Sequence, residues 1–137
     1  MAVNNNLDPQ LEGQDFVEKL LTANSSQVTS NSIPAGVQVV RVVGVANDAD
    51  DFIVLPRLGE VQNGTELTIL CNAGANFELR TPALSAEEIN SEDCDGTKEY
   101  LCTDTEIMKV VKINDTIGWM ARGYSAVGEV VAAVVPD

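Results

Sequence analysis

The closing stretch of this chain, residues 116–136, leaves it few ways to fold, because two strand-like apolar runs flank a turn that carries a glycine. The first run, residues 116–121, holds the single tryptophan, Trp119, and the second, residues 128–135, is nearly pure valine and alanine. β-Branched residues are stiff at χ1 and suit a pleated, buried surface better than a helix. Gly123, in residues 122–127, supplies the freedom that a tight reversal needs, so the spacing predicts a hairpin. The last run is apolar on both faces, and one small core covers only one of them. That places Val130, Val131, Val134 and Val135 in an expected oligomer interface.

The rest of the chain from residue 37 repeats the same theme. Residues 37–45 are valine-rich with Gln38 and Arg41 interrupting, residues 52–56 form a short apolar run closed by Pro56, and Asn63-Gly64 is a strong reversal signal. Residues 65–71 alternate, with Leu67, Ile69 and Cys71 on one face, and residues 76–81 alternate again with Phe77 and Leu79 inward. After an acidic loop over residues 82–96, with one helical turn expected around residues 85–89, come runs at 97–103, 107–113 and 116–121. Short strands with turn signals every 8 to 12 residues predict an all-β module over residues 37–137, an antiparallel β-sandwich or barrel of about seven to eight strands.

Residues 1–36 differ in character. Asparagine runs and a Ser/Thr/Asn/Gln cluster surround one island where Asp8 can cap, Pro9 is pre-set for a first helical turn, and Phe16, Val17, Leu20 and Leu21 share one side. The reading is an N-terminal arm with a short amphipathic helix on a polar tether. Its apolar stripe either packs back on its own domain or docks on another subunit.

Charge and chemistry narrow the function. With 21 acidic and 8 basic residues the formal net charge is −13, which would repel a phosphate backbone, so nucleic acid is not an expected partner. The longest apolar run is far below the roughly 18 to 20 residues of a membrane span, and residues 1–13 lack the pattern of a secretory signal. No histidine occurs anywhere, which removes the usual general base, the usual triads and most catalytic zinc sites. Cys71, Cys94 and Cys102 are odd in number and show no CxxC spacing, so free thiols are expected, with Cys94 the most exposed. Asp48, Asp50 and Asp51, and separately Asp93 and Asp95, each match part of a calcium loop, but Cys102 would fall at the bidentate position, and solvated acidic loops are the better reading. No enzyme activity, metal or cofactor is expected.

The run Asp51-Phe52-Ile53-Val54-Leu55-Pro56, the Gly64 turn, then Asn76-Phe77-Glu78-Leu79-Arg80-Thr81-Pro82, and finally Ile117-Gly118-Trp119 before a short last strand resemble, in that order, the small capsid decoration (cement) proteins of tailed bacteriophages. The resemblance covers roughly residues 37–136. It implies a β-sandwich or barrel module, commonly trimeric, that sits on the outer surface of an assembled head, staples neighbouring subunits of the major capsid protein, and is assembled in the bacterial cytoplasm. On that reading Phe16, Val17, Leu20 and Leu21 of the arm would be capsid contacts. The alternative from another class is a phage fibre-tip or host-surface receptor-binding module, which would place exposed aromatics at loop tips, and this chain has six aromatics in all.

Overall fold

The computed structural model describes residues 18–47, 50–71, 76–96, 98, 100–102, 107–125 and 127–130. Among the described residues ten strands succeed one another: β1 (Glu18–Ala23), β2 (Val39–Val45), β3 (Phe52–Val54), β4 (Glu66–Cys71), β5 (Phe77–Arg80), β6 (Glu88–Ile89), β7 (Glu92–Asp93), β8 (Tyr100–Cys102), β9 (Ile107–Asn114) and β10 (Gly118–Tyr124). They make a seven-stranded sheet in the order β1-β2-β4-β9-β10-β6-β7 and a three-stranded sheet in the order β3-β5-β8.

The large sheet is mixed, which corrects the antiparallel expectation. β1 runs parallel to β2, β2 to β4 and β6 to β10, while β4/β9, β9/β10 and β6/β7 are antiparallel. In the small sheet β3 and β5 are also parallel. Parallel neighbours need long crossovers, and the chain between β1 and β2 is such a crossover. It leaves β1 at Asn24, whose backbone exchanges hydrogen bonds with Phe52 of β3, and then Ile33 N donates to Val54 O at 2.8 Å. One stretch of chain thereby stitches both sheets together.

Residues 18–23 form a strand and not part of a helix. Leu21 is 1% exposed and Ala23 is buried, whereas Leu20, one residue away, is 51% exposed. A strand sends adjacent side chains to opposite faces, and parallel pairing with β2 supplies ladder partners along one side of β1. Leu21 is therefore a core residue and cannot be a capsid contact; Phe16 and Val17 lie outside the described residues.

Both sheets contribute to one hydrophobic core. Leu21, Val40, Val42, Leu67, Ile69, Met108, Val110, Ile89 and Trp119 come from the large sheet, Ile53, Phe77, Leu79, Tyr100 and Cys102 from the small one, and Ile33, Leu58 and Cys94 from connections. Cys94 is fully buried, correcting the expectation of an exposed thiol: Thr81 N donates to its carbonyl at 2.8 Å and draws it under the small sheet. No disulfide joins the three cysteines, and burial pushes the Cys102 thiol well above its ordinary value, so it stays protonated and inert.

The expected closing hairpin is displaced. β10 extends to Tyr124 and pairs with β9 on one side. On its other side stands β6, whose Trp119↔Ile89 pairing continues through Asn90: Ala121 N donates to Asn90 Oδ1 at 2.8 Å and Asn90 Nδ2 donates to Ala121 O at 3.2 Å. The chain reverses after Tyr124 and only Val130 is placed, opposite Tyr124. Val131, Val134 and Val135 lie outside the described residues.

Candidate surface for protein contact

Alternation along the strands sorts the large sheet into a buried face and an outer face. Lys112 falls on the buried one. In phase with Met108 and Val110, it reaches inward and donates to Leu58 O at 2.6 Å and Val61 O at 2.8 Å, and pairs with Asp115 Oδ1 at 2.6 Å. All three ammonium protons have partners, which is what lets a lysine lie 3% exposed. The period-2 pattern of residues 107–113 contained that placement; reading both lysines of the run as mere interruptions missed it.

Register puts the outer-face residues into rows. One row crosses five strands as Leu20, Arg41, Leu70, Ile107 and Tyr124; the next runs Glu18, Val39, Thr68, Lys109 and Arg122; a third joins Glu66, Val111 and Met120. Leu20, Ile107 and Met120 are exposed, as is Val43, set at a bulge where Leu21 faces Val42 and Thr22 faces Gly44. The cations Arg41, Lys109 and Arg122 are three of the chain's eight, whereas the described acids in these rows are Glu18, which pairs with Arg41 at 3.2 Å, and Glu66. On a protein of net charge −13, this apolar face carries, among the described residues, three cations against two acids. A cleft of about 580 Å³ opens there, lined by Gln38, Val39, Gly64, Thr65, Glu66, Thr68 and Lys109, with Lys109 Nζ donating to Thr68 Oγ1 at 2.9 Å.

A second projecting surface is the stretch 82–96, where a β6–β7 hairpin replaces the expected helical turn. Asn90 and Ser91 both have positive φ, 54° and 70°, as a two-residue primed turn demands. Ahead of it Ser85 N closes a turn onto Pro82 O, and Leu84 sits at φ 60°, a position that ordinarily favours glycine. Leu84 is 96% exposed. Its loop is nonetheless braced: Ala83 N donates to Gln27 Oε1 at 3.2 Å, Ala86 N to Asp95 Oδ2 at 3.2 Å and Thr81 Oγ1 to Glu87 O at 3.1 Å.

Glu87 links this loop to the turn at Leu58–Glu60 by accepting from Leu58 N at 3.2 and 3.3 Å. Burial holds its carboxyl above the usual range, partly offset by the Leu58 N–H and the positive charges of Arg57 and Lys112. A carboxyl raised in the folded state adds stability that is fully present below the unfolded value and lost as pH rises through the folded one. Glu87→Gln keeps an acceptor for Leu58 and removes that loss. It is expected to be more stable than the parent chain at pH 7, with the difference closing below about pH 4.3, the ordinary glutamate value, as read from urea midpoints at both pH values.

The residues that carried the bacteriophage resemblance meet in space. Ile53 pairs with Leu79 and Val54 with Arg80, Glu78 N donates to Asp51 O, and Leu55 N donates to Arg80 O at 2.9 Å. Arg80 donates to Glu78 Oε2 at 2.8 and 3.1 Å and lies 4.1 Å over the Phe52 ring. Trp119 faces the same core. Glu78, expected to point outward, is buried in this cluster.

Among the described residues no group of three or more His, Cys, Asp or Glu side chains is set to hold a metal ion, and no helix is long and apolar enough to cross a membrane. No protein-family model, curated protein or solved structure matches the chain.

Proposed function

We propose that this chain is a non-enzymatic structural protein of a phage head, which binds the outer capsid surface as a trimer and stabilises neighbouring major-capsid subunits. The observation that carries the reading is the outer face of the large sheet, where apolar side chains and three cations stand together on an otherwise acidic protein. Contiguous apolar surface of this kind marks protein contact, here between the copies of the trimer that binds the capsid. The order of the motifs at residues 51–56, 76–82 and 117–119 directs it to capsid decoration. On this reading the two sheets face each other as a β-sandwich around the shared core, and Val130, with Val131, Val134 and Val135 after it, lies in the trimer interface. A receptor-binding tip would carry exposed aromatics at its loops; Phe52, Phe77, Tyr100 and Trp119 are buried and Tyr124 is half-buried.

The test mixes the purified chain with phage heads assembled without a decoration protein and measures cosedimentation. Saturable binding at a fixed ratio to the major capsid protein is expected. Failure to bind expanded heads at micromolar concentration would overturn the reading. Deleting residues 1–17 tests whether Phe16 and Val17 contribute to head binding, whereas deleting residues 1–30 removes β1 with Leu21 and Ala23 and should unfold the domain.

A further inference from the structure

We propose that the chain carries both halves of a contact with its own copies: the acidic 82–96 loop, led by Leu84, seats on the apolar and cationic outer face of the next copy's seven-stranded sheet. This deepens the oligomer part of the reading above and is tested on the chain alone, so its failure and the failure of capsid attachment are separable.

The argument rests on complementarity between two surfaces of one molecule. The face offers Leu20, Val39, Leu70, Ile107, Val111 and Met120 with Arg41, Lys109 and Arg122 among them. The loop offers a leucine almost wholly in solvent, in a stretch that also carries Glu88, Asp93 and Glu92, the last paired with Lys98 at 2.6 Å. An apolar anchor on an acidic loop fits an apolar surface that carries cations. Leu84 makes no packing contribution to its own fold at 96% exposure, yet it occupies a left-handed backbone position in a loop fastened by Gln27 and Asp95. A loop whose backbone is already braced loses little backbone freedom on docking.

Placement decides the symmetry. The face spans β1, β2, β4, β9 and β10, while the loop lies beyond β10 at the β6–β7 edge of the sheet. The two surfaces differ, so copies that each give a loop to the next make a head-to-tail contact, which forms a ring where the rotation closes. A trimer is the smallest such ring with more than two members. The face continues at Tyr124 to Val130.

Three variants, followed by sedimentation across a concentration series, test this. Leu84→Asp should weaken assembly at least about tenfold, the scale of losing one anchor, and the pair Lys109→Glu with Arg122→Glu should do the same, both with the parent's circular dichroism. Leu84→Gly should raise the melting temperature, by relieving the backbone, while weakening assembly; a residue with only a structural role would not separate the two readouts. The decisive mixture combines the Leu84→Asp copy, which keeps its face, with the face variant, which keeps its loop. A one-to-one dimer that grows no further is expected. The proposal is overturned by a parent chain that stays monomeric at about 0.1 mM, by assembly that survives both variants, or by a mixture that forms no dimer.

Discussion

Gly118→Ala should lower the stability of the domain by about 3 kcal/mol, combining the roughly 1–2 kcal/mol of a left-handed non-glycine residue with the 1–3 kcal/mol of overpacking. Gly118 sits at φ 81° where the three-residue turn after Asn114 re-enters the sheet, and a Cβ there would stand 2.5 Å from the backbone oxygen of Glu88. Asn114 Oδ1 fixes the turn by accepting from Thr116 N and Ile117 N at 2.9 and 2.7 Å, so the backbone has no easy retreat. Glu88 is equally fixed, because β6 is pinned to β10 through Ile89 and Asn90. Gly64→Ala is the control: φ there is 85°, but nothing lies within 4 Å of the added methyl. Thermal or urea unfolding should show Gly118→Ala well below Gly64→Ala. Equal losses would mean that β6 does not press on β10 as described.

Asn31→Asp is expected to be the most damaging isosteric change, at about 3–5 kcal/mol, the range for leaving a charge buried without a partner. Asn31 is fully buried. Its Nδ2 donates to Phe52 O at 2.9 Å, Ser26 O at 3.0 Å and Asn24 O at 3.4 Å, while its Oδ1 accepts from Val28 N at 2.9 Å. A carboxylate of the same shape would keep the last bond and turn an oxygen toward three carbonyls. Those bonds hold the β1–β2 crossover against β3, so their loss loosens the joint between the sheets. Urea unfolding followed by tryptophan fluorescence measures the loss; a variant within 1 kcal/mol of the parent would show that the crossover does not depend on this side chain.

What the sequence displayed clearly was local. β2, β4, β5 and β9 announce themselves through alternation or valine content, and the buried phase of β4 and β5 was visible in Leu67, Ile69, Phe77 and Leu79. Strand direction was not visible, because nothing in residues 18–23 or 39–45 records that they will run parallel across a 15-residue crossover. β1 was masked by an accident of spacing: Phe16, Val17, Leu20 and Leu21 fit a helical side, while the alternation of Leu21 and Ala23 against Leu20 and Thr22 spans too few residues to outweigh it. The β6–β7 hairpin was hidden because Asn90-Ser91 takes a turn usually written with glycine, and because acids at Glu88, Glu92 and Asp93 look like loop. The outer face could be assembled only from register, since Leu20, Arg41, Leu70, Ile107 and Tyr124 are far apart in the chain and meet only across five strands.

The most direct measurement is the heat resistance of phage heads with and without the chain. Heads assembled without decoration protein are saturated with it, washed, and heated while intact heads are followed by light scattering. Cross-linking of neighbouring capsid subunits predicts a higher disruption temperature that depends on bound chain and is lost with the Lys109→Glu, Arg122→Glu variant, if trimer closure is what ties the subunits together. Heads that bind the chain in full yet break at an unchanged temperature would contradict the account.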